Sequence, residues 1–166
     1  MTAQTFQDYE NLLNQNYKDA VATLLARYDP ATDNYFKETS YQRFLDGKIK
    51  SLAKGQISRT AEGLYCHHID ENKFLNMANP SYIRGQKIPF SYQEKDRLAY
   101  YNLIEYLVLH ALISSETKYH FGYPGLIAYL QSSVIAWYIN GIKPEKSWER
   151  KYHEKLSSQV IKQLYC

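Results

Sequence analysis

Phe6, Tyr9, Leu13, Tyr17, Ala20, Leu24 and Tyr28 recur at steps of three or four residues. That spacing lays them along one stripe of an α-helix. Thr5 is placed to cap the helix, Asp8 falls in its first turn, and Asp29-Pro30 ends it. Residues 31–37 read as a connection. A less regular apolar set, Tyr41, Phe44, Leu45, Ile49 and Leu52, predicts a second helix over Thr39–Leu52, weakened at Gly47 and ended by Gly55. The pattern then changes. Gly63–Ile69, with Leu64, Tyr65, Cys66 and Ile69, favours a short strand. A long polar loop follows, and Lys87–Phe90 ("KIPF") is the candidate second strand, an edge strand because of Pro89. Ser91 and Glu94 have capping-box spacing, so a helix is expected over Tyr92–Leu112, with a connection over Ser114–His120. Pro124–Gly141 reads as a strongly apolar helix. Trp148–Tyr165 reads as an amphipathic one that turns Trp148, Tyr152, Leu156, Val160 and Leu164 inward.

The pattern therefore predicts an α+β chain that is mostly α, with a strand–loop–strand–helix unit inside a helical scaffold. At 166 residues it is expected to form a single domain, 1–166, divided into N-terminal helices (1–60), the central unit (61–113) and C-terminal helices (114–166). There is no internal repeat. Hydrophobic residues make up 45% and charged residues 22%, both ordinary for a globular chain, whereas 17 tyrosines are not. Tyrosine suits half-wet surfaces, and so an interface, a homodimer contact, a nucleic-acid platform or a wet core. The net charge of +3 permits phosphate binding without demanding it. Lys48, Lys50, Lys54 and Arg59 form an acid-free run able to follow a phosphate backbone, or simply to face solvent. Two cysteines, Cys66 and Cys166, make no disulfide framework. With no apolar run of about 18 residues and no leader-like start, the expectation is a cytoplasmic protein without membrane contact.

Chemistry concentrates between Gly63 and His110. "GLYCHHIDE" holds the one adjacent histidine pair, His67-His68, followed by Asp70 and Glu71. Asn102, Tyr106 and His110 are four apart, so on the expected helix they share a face. A helix crossing a hairpin would gather His67, His68, Asn102 and His110. Asp70 and Glu71 read either as orienting acids or as plain loop acids, the second being the simpler. Cys66 reads as strand packing, and His120 and His153 as surface residues.

The order His-His, Asn, His on a strand–strand–helix unit resembles the HNH (ββα-metal) nucleases. The fuller pattern, "LYCHHIDE" followed by "YQEKDRLAYYNLIEYLVLH", is similar to small HNH-type proteins of bacteria and phages related to the NlaIII/IceA-type restriction endonucleases. The resemblance covers about a third of the chain. It implies a ββα-metal module in which His67 and His110 bind a divalent ion (Mg, Mn, Ni or Zn). It makes His68 the general base that activates water against a DNA phosphodiester, and Asn102 the residue that orients that base. The partner implied is DNA. Two positions depart from the family pattern. Asn102 and His110 stand one residue closer than usual, a rotation of about 100° on a helix. Tyr106 stands where related sequences carry a further His, and a phenol titrating near about 10 is a poor substitute for imidazole. The alternative is therefore a catalytically impaired binding protein of phage origin on the same fold, directed at a nucleic-acid-processing protein such as a host defence nuclease, an anti-CRISPR-like role.

Overall fold

The computed structural model describes residues 5–154. The expectations for Leu156, Val160, Leu164 and Cys166 lie outside them. The first stripe becomes two helices, α1 (Phe6–Leu13) and α2 (Tyr17–Arg27). Thr5 and Asp8 form the capping box of α1, but Asn16 caps a new helix by accepting from the Asp19 N–H. Within α1 the buried positions are Tyr9 and Leu12, so Leu13 faces solvent, and after the break at 14–16 the buried stripe restarts at Tyr17. The second helix, α3 (Glu38–Leu45), ends well before Leu52, at a turn in which Gly47 takes a left-handed φ of 73°. Residues 48–59 are therefore irregular chain, held by bridges from Lys54 to Phe36 and from Arg59 to Leu64.

The first strand is where the pattern placed it, as β1 (Tyr65–His68). The second is not. "KIPF" runs from a left-handed Lys87 into a 3₁₀ turn at Phe90–Gln93, and the pairing strand is β2 (Leu98–Tyr101). The two are antiparallel, with Tyr65 opposite Tyr101, Cys66 opposite Tyr100, His67 opposite Ala99 and His68 opposite Leu98. Their long connection contains α4 (Pro80–Gln86), capped by Asn79. All four β2 residues are buried, so "LAYY" shows no alternation and merges in sequence with the helix that follows.

That helix, α5 (Leu103–Glu116), starts eleven residues later than the capping-box spacing at Ser91 and Glu94 implies. The box that forms is Asn102–Glu105. The Asn102 side chain accepts from the Ile104 and Glu105 N–H groups, and the Glu105 carboxylate accepts the Asn102 N–H at 2.9 Å. Glu105 is fully buried and also receives the Tyr28 hydroxyl at 2.8 Å and the Arg27 guanidinium at 2.5 Å. One carboxylate thus ties α2 to the start of α5.

The apolar run becomes α6 (residues 123–139), in which α-turns at Tyr123–Gly125 and Ser132–Val134 alternate with π-turns at Leu126–Gln131 and Ile135–Ile139. α7 (Ser147–His153) closes the described chain. Among the described residues the architecture is α-rich with one small two-stranded sheet, the coarse α+β class expected. α5 packs against α1, α2 and α6, and α2 also covers β2. Among the described residues no helix is long and apolar enough to cross a membrane.

Candidate metal centre

Successive strand residues face opposite sides of a sheet, so the adjacent histidines of β1 part company. His67 turns to α5, and its ring lies against Tyr106 at 4.6 Å and His110 at 5.3 Å between centroids. His68 turns the other way. Its ring packs on Tyr35 at 4.4 Å, and its Nε2 is 2.8 Å from the Gln93 side-chain oxygen. The Gln93 amide in turn donates to the Met77 carbonyl at 3.2 Å.

The chain turns sharply after β1. Ile69 N–H pairs with the Arg97 carbonyl, and Asp70 is gripped by Arg97 and Lys73 at 2.9 and 2.7 Å. Tyr17 donates its hydroxyl to the Ile69 carbonyl at 3.0 Å. This anchoring swings Glu71 back beneath His67. Glu71 Oε2 lies 2.8 Å from His67 Nε2 and 3.2 Å from His110 Nε2. The three donor atoms lie within 4.8 Å of one another.

Neither imidazole Nε2 makes a hydrogen bond, although both are buried. The nitrogens approach the carboxylate oxygen without directing an N–H at it. Such an arrangement is costly as a simple polar cluster, because a buried unsatisfied polar atom costs about 1–3 kcal/mol. It is the arrangement expected of donors converging on a shared point. An ion bonded at about 2.0–2.1 Å holds neighbouring donors roughly 3.0–3.4 Å apart; the Glu71–His110 separation of 3.2 Å falls in that range and the Glu71–His67 separation of 2.8 Å just below it. Two imidazoles and one carboxylate suit zinc, nickel, manganese or cobalt better than magnesium, which prefers oxygen and retains water.

The electrostatics agree. Burial pushes the His67 pKa down, favouring the neutral ring that ligation requires. His110 Nδ1 is 2.9 Å from the Gly122 carbonyl, which can only accept, so Nδ1 carries the hydrogen and Nε2 faces the cluster. Tyr106 stands one turn before His110 on α5. Its ring stands edge-on to His67 and to His110, at 4.6 and 4.8 Å, and so forms a wall of the cluster. Burial lifts its phenol far above the ordinary range, so the hydroxyl stays protonated.

No family model, no curated protein and no solved structure matches this chain.

Of the residues singled out from sequence, the fold brings His67 and His110 together and separates the other two. Asn102 does not orient His68. It is the N-cap of α5, fully buried, with its amide 3.4 Å from the Tyr9 hydroxyl. His68 faces away from the cluster, and burial pushes its pKa down to about 4. Two residues of the basic run, Lys54 and Arg59, cover the His68 face of the hairpin. Lys54 lies over the Tyr35 ring and Arg59 over the Tyr100 ring, while Arg59 also pairs with Glu62 and Lys48 with Asp46. Lys50 is exposed. Cys66 is tucked on that same face, its thiol pushed up to about 12 by burial. His153 is half-buried rather than on the surface, its Nε2 bonded to the Trp137 carbonyl at 3.0 Å. Gln93 escaped the sequence reading, and Glu71, read there as an orienting or plain loop acid, stands among the converging donors instead. For Glu71 a signal existed: an acid four residues beyond a strand-borne His reaches back to it when the strand ends in a turn.

Proposed function

We propose that this protein is a divalent-metal-dependent nuclease of the ββα-metal kind, its ion held by His67, Glu71 and His110. The observation that carries the reading is the convergence of two buried imidazole nitrogens on one carboxylate oxygen, at 2.8 and 3.2 Å, with neither ring aligned to direct an N–H at it. The strand–strand–helix order of β1, β2 and α5 around that cluster supports it. A bound divalent ion would supply Lewis-acid polarisation of a phosphoryl oxygen and acidify a water molecule. The chain's own part is to hold three donors in place and to wall them with the Tyr101 and Tyr106 rings. His68 is given a scaffolding role here, with its Nε2 engaged by Gln93. Of the basic run expected to follow a phosphate backbone, Lys54 and Arg59 lie on the opposite face of the hairpin from His67, Glu71 and His110.

That separation favours a second reading: a metal-holding ββα-type protein that binds a nucleic-acid-processing partner without cutting. One experiment divides the two. The full chain is titrated with Zn, Ni, Mn and Mg by calorimetry, then incubated with plasmid DNA, single-stranded DNA and RNA in each metal beside Glu71→Gln and His110→Ala. Cutting that both variants lose supports the nuclease. Metal binding without cutting of any substrate supports the second reading. Wild-type protein that takes up no metal refutes both.

A further inference from the structure

The turn that leads into α6 does more than connect α5 to it. Gly122 has a left-handed φ of 75°, and a side chain there would place its Cβ 2.7 Å from the His110 carbonyl oxygen and 3.0 Å from Ile113. Only glycine allows the backbone so close to α5 at that point. The close approach is what brings the Gly122 carbonyl within 2.9 Å of His110 Nδ1. Three residues on, Gly125 lies flat against the same imidazole. A Cβ there would meet His110 Cε1 at 2.9 Å and Nδ1 at 3.1 Å. The ring has no room to yield, since Tyr106 and His67 pack on it at 4.8 and 5.3 Å. Two glycines thus press on one side chain, one supplying the acceptor and the other the space.

We infer that the Gly122–Gly125 turn is the positioning element of the metal centre: it locks His110 as the Nδ1–H tautomer with Nε2 aimed at Glu71 and His67. The inference rests on the metal-centre reading above. A carbonyl partner on the outer nitrogen fixes both tautomer and ring orientation, and removing such partners typically costs about 10–100-fold in metal affinity. The turn also opens α6, so the seating of His110 and the docking of α6 on α5 are one arrangement. By contrast Gly85, in α4, has open space around its Cα and serves as the control.

Two measurements test this on the full chain. Long-range proton–nitrogen NMR of the metal-free protein at pH 8 is expected to show His110 protonated at Nδ1; an Nε2–H tautomer overturns the inference, whatever the metal does. Titration with Co²⁺, read by its visible absorption, is expected to be unchanged in Gly85→Ala and weakened about 10–100-fold in Gly125→Ala, with an altered band. A folded Gly125→Ala that binds Co²⁺ with wild-type affinity and spectrum overturns it too. If Gly125→Ala does not fold, the tautomer decides. Wild-type protein that takes up no Co²⁺ sinks the metal-centre reading itself, a result distinct from an indifferent Gly125→Ala.

Discussion

Replacing Glu105 with Gln removes one charge and almost no volume from the joint between α2 and α5. In the native chain the buried carboxylate accepts the Asn102 N–H, the Tyr28 hydroxyl and the Arg27 guanidinium. Hydrogen bonds to a charged group are worth about 1.5–3 kcal/mol each, against about 0.5–1.5 for neutral ones. The amide keeps one oxygen acceptor and turns an NH₂ toward a former donor, so one bond is lost and the others weaken. Arg27 is part-exposed and recovers some solvation. The expected net cost is about 3 kcal/mol. At roughly 2–4 °C per kcal/mol for a chain of this size, that is a fall in Tm of about 6–12 °C. Urea unfolding followed by circular dichroism measures it directly, through a lower midpoint at constant slope. Glu94→Gln serves as the internal comparison: Glu94 is exposed, and its cost should stay within about 0.5 kcal/mol. If Glu94→Gln costs more than Glu105→Gln, the start of α5 has been assigned to the wrong residue.

Two further expectations follow from buried side chains. Gln93→Leu leaves the His68 Nε2 without its partner and should destabilise by about 1–3 kcal/mol in urea, yet leave Zn affinity within about twofold, because His68 lies off the metal face; an affinity loss as large as that of His110→Ala would contradict the separation of the two faces. Burial pushes the phenols of Tyr35 and Tyr41 up to about 12 in the folded chain, against about 10 when unfolded. Their stabilising contribution is therefore complete below pH 10 and is lost as pH rises toward 12. Stability profiles should fall in that window, with phenolate absorbance at these rings appearing together with unfolding; early, independent ionisation would count against their burial.

Much of the fold could be read from residue spacing, and the misreadings share a cause. The helical stripe of α1 and α2 was legible from its period, Thr5 from its capping position, and β1 from strand-forming residue types rather than from alternation. The break at Asn14–Asn16 was hidden because the apolar steps on either side happen to continue the same count. β2 was missed because a strand buried on both faces has no period, and "LAYY" runs straight into the apolar set of α5. That error displaced the helix start to Ser91–Glu94, which matches the same motif as the true Asn102–Glu105 box. Within the site, His67 and His110 could be paired from sequence, since a helix after a hairpin must cross it. Glu71 depends on a turn held by Asp70, Arg97 and Lys73, which are long-range contacts with no local signature. The division of labour between His67 and His68 follows from strand pleating once β1 is accepted.

That pleating has a consequence for how the protein can be dissected genetically. An alanine scan would score both histidines of the pair as intolerant, and the two would look like one site. The losses would differ in kind: at His67 the proposed ion loses a donor and three rings lose a packing partner, while at His68 the Gln93 contact and the Tyr35 packing are lost. A one-residue insertion ahead of Tyr65 would keep the dipeptide but turn every side chain over, putting Cys66 where His67 faces α5 and His67 where His68 faces Tyr35 and Gln93. Activity readouts alone would misassign such variants, and paired stability and metal-titration profiles would tell them apart.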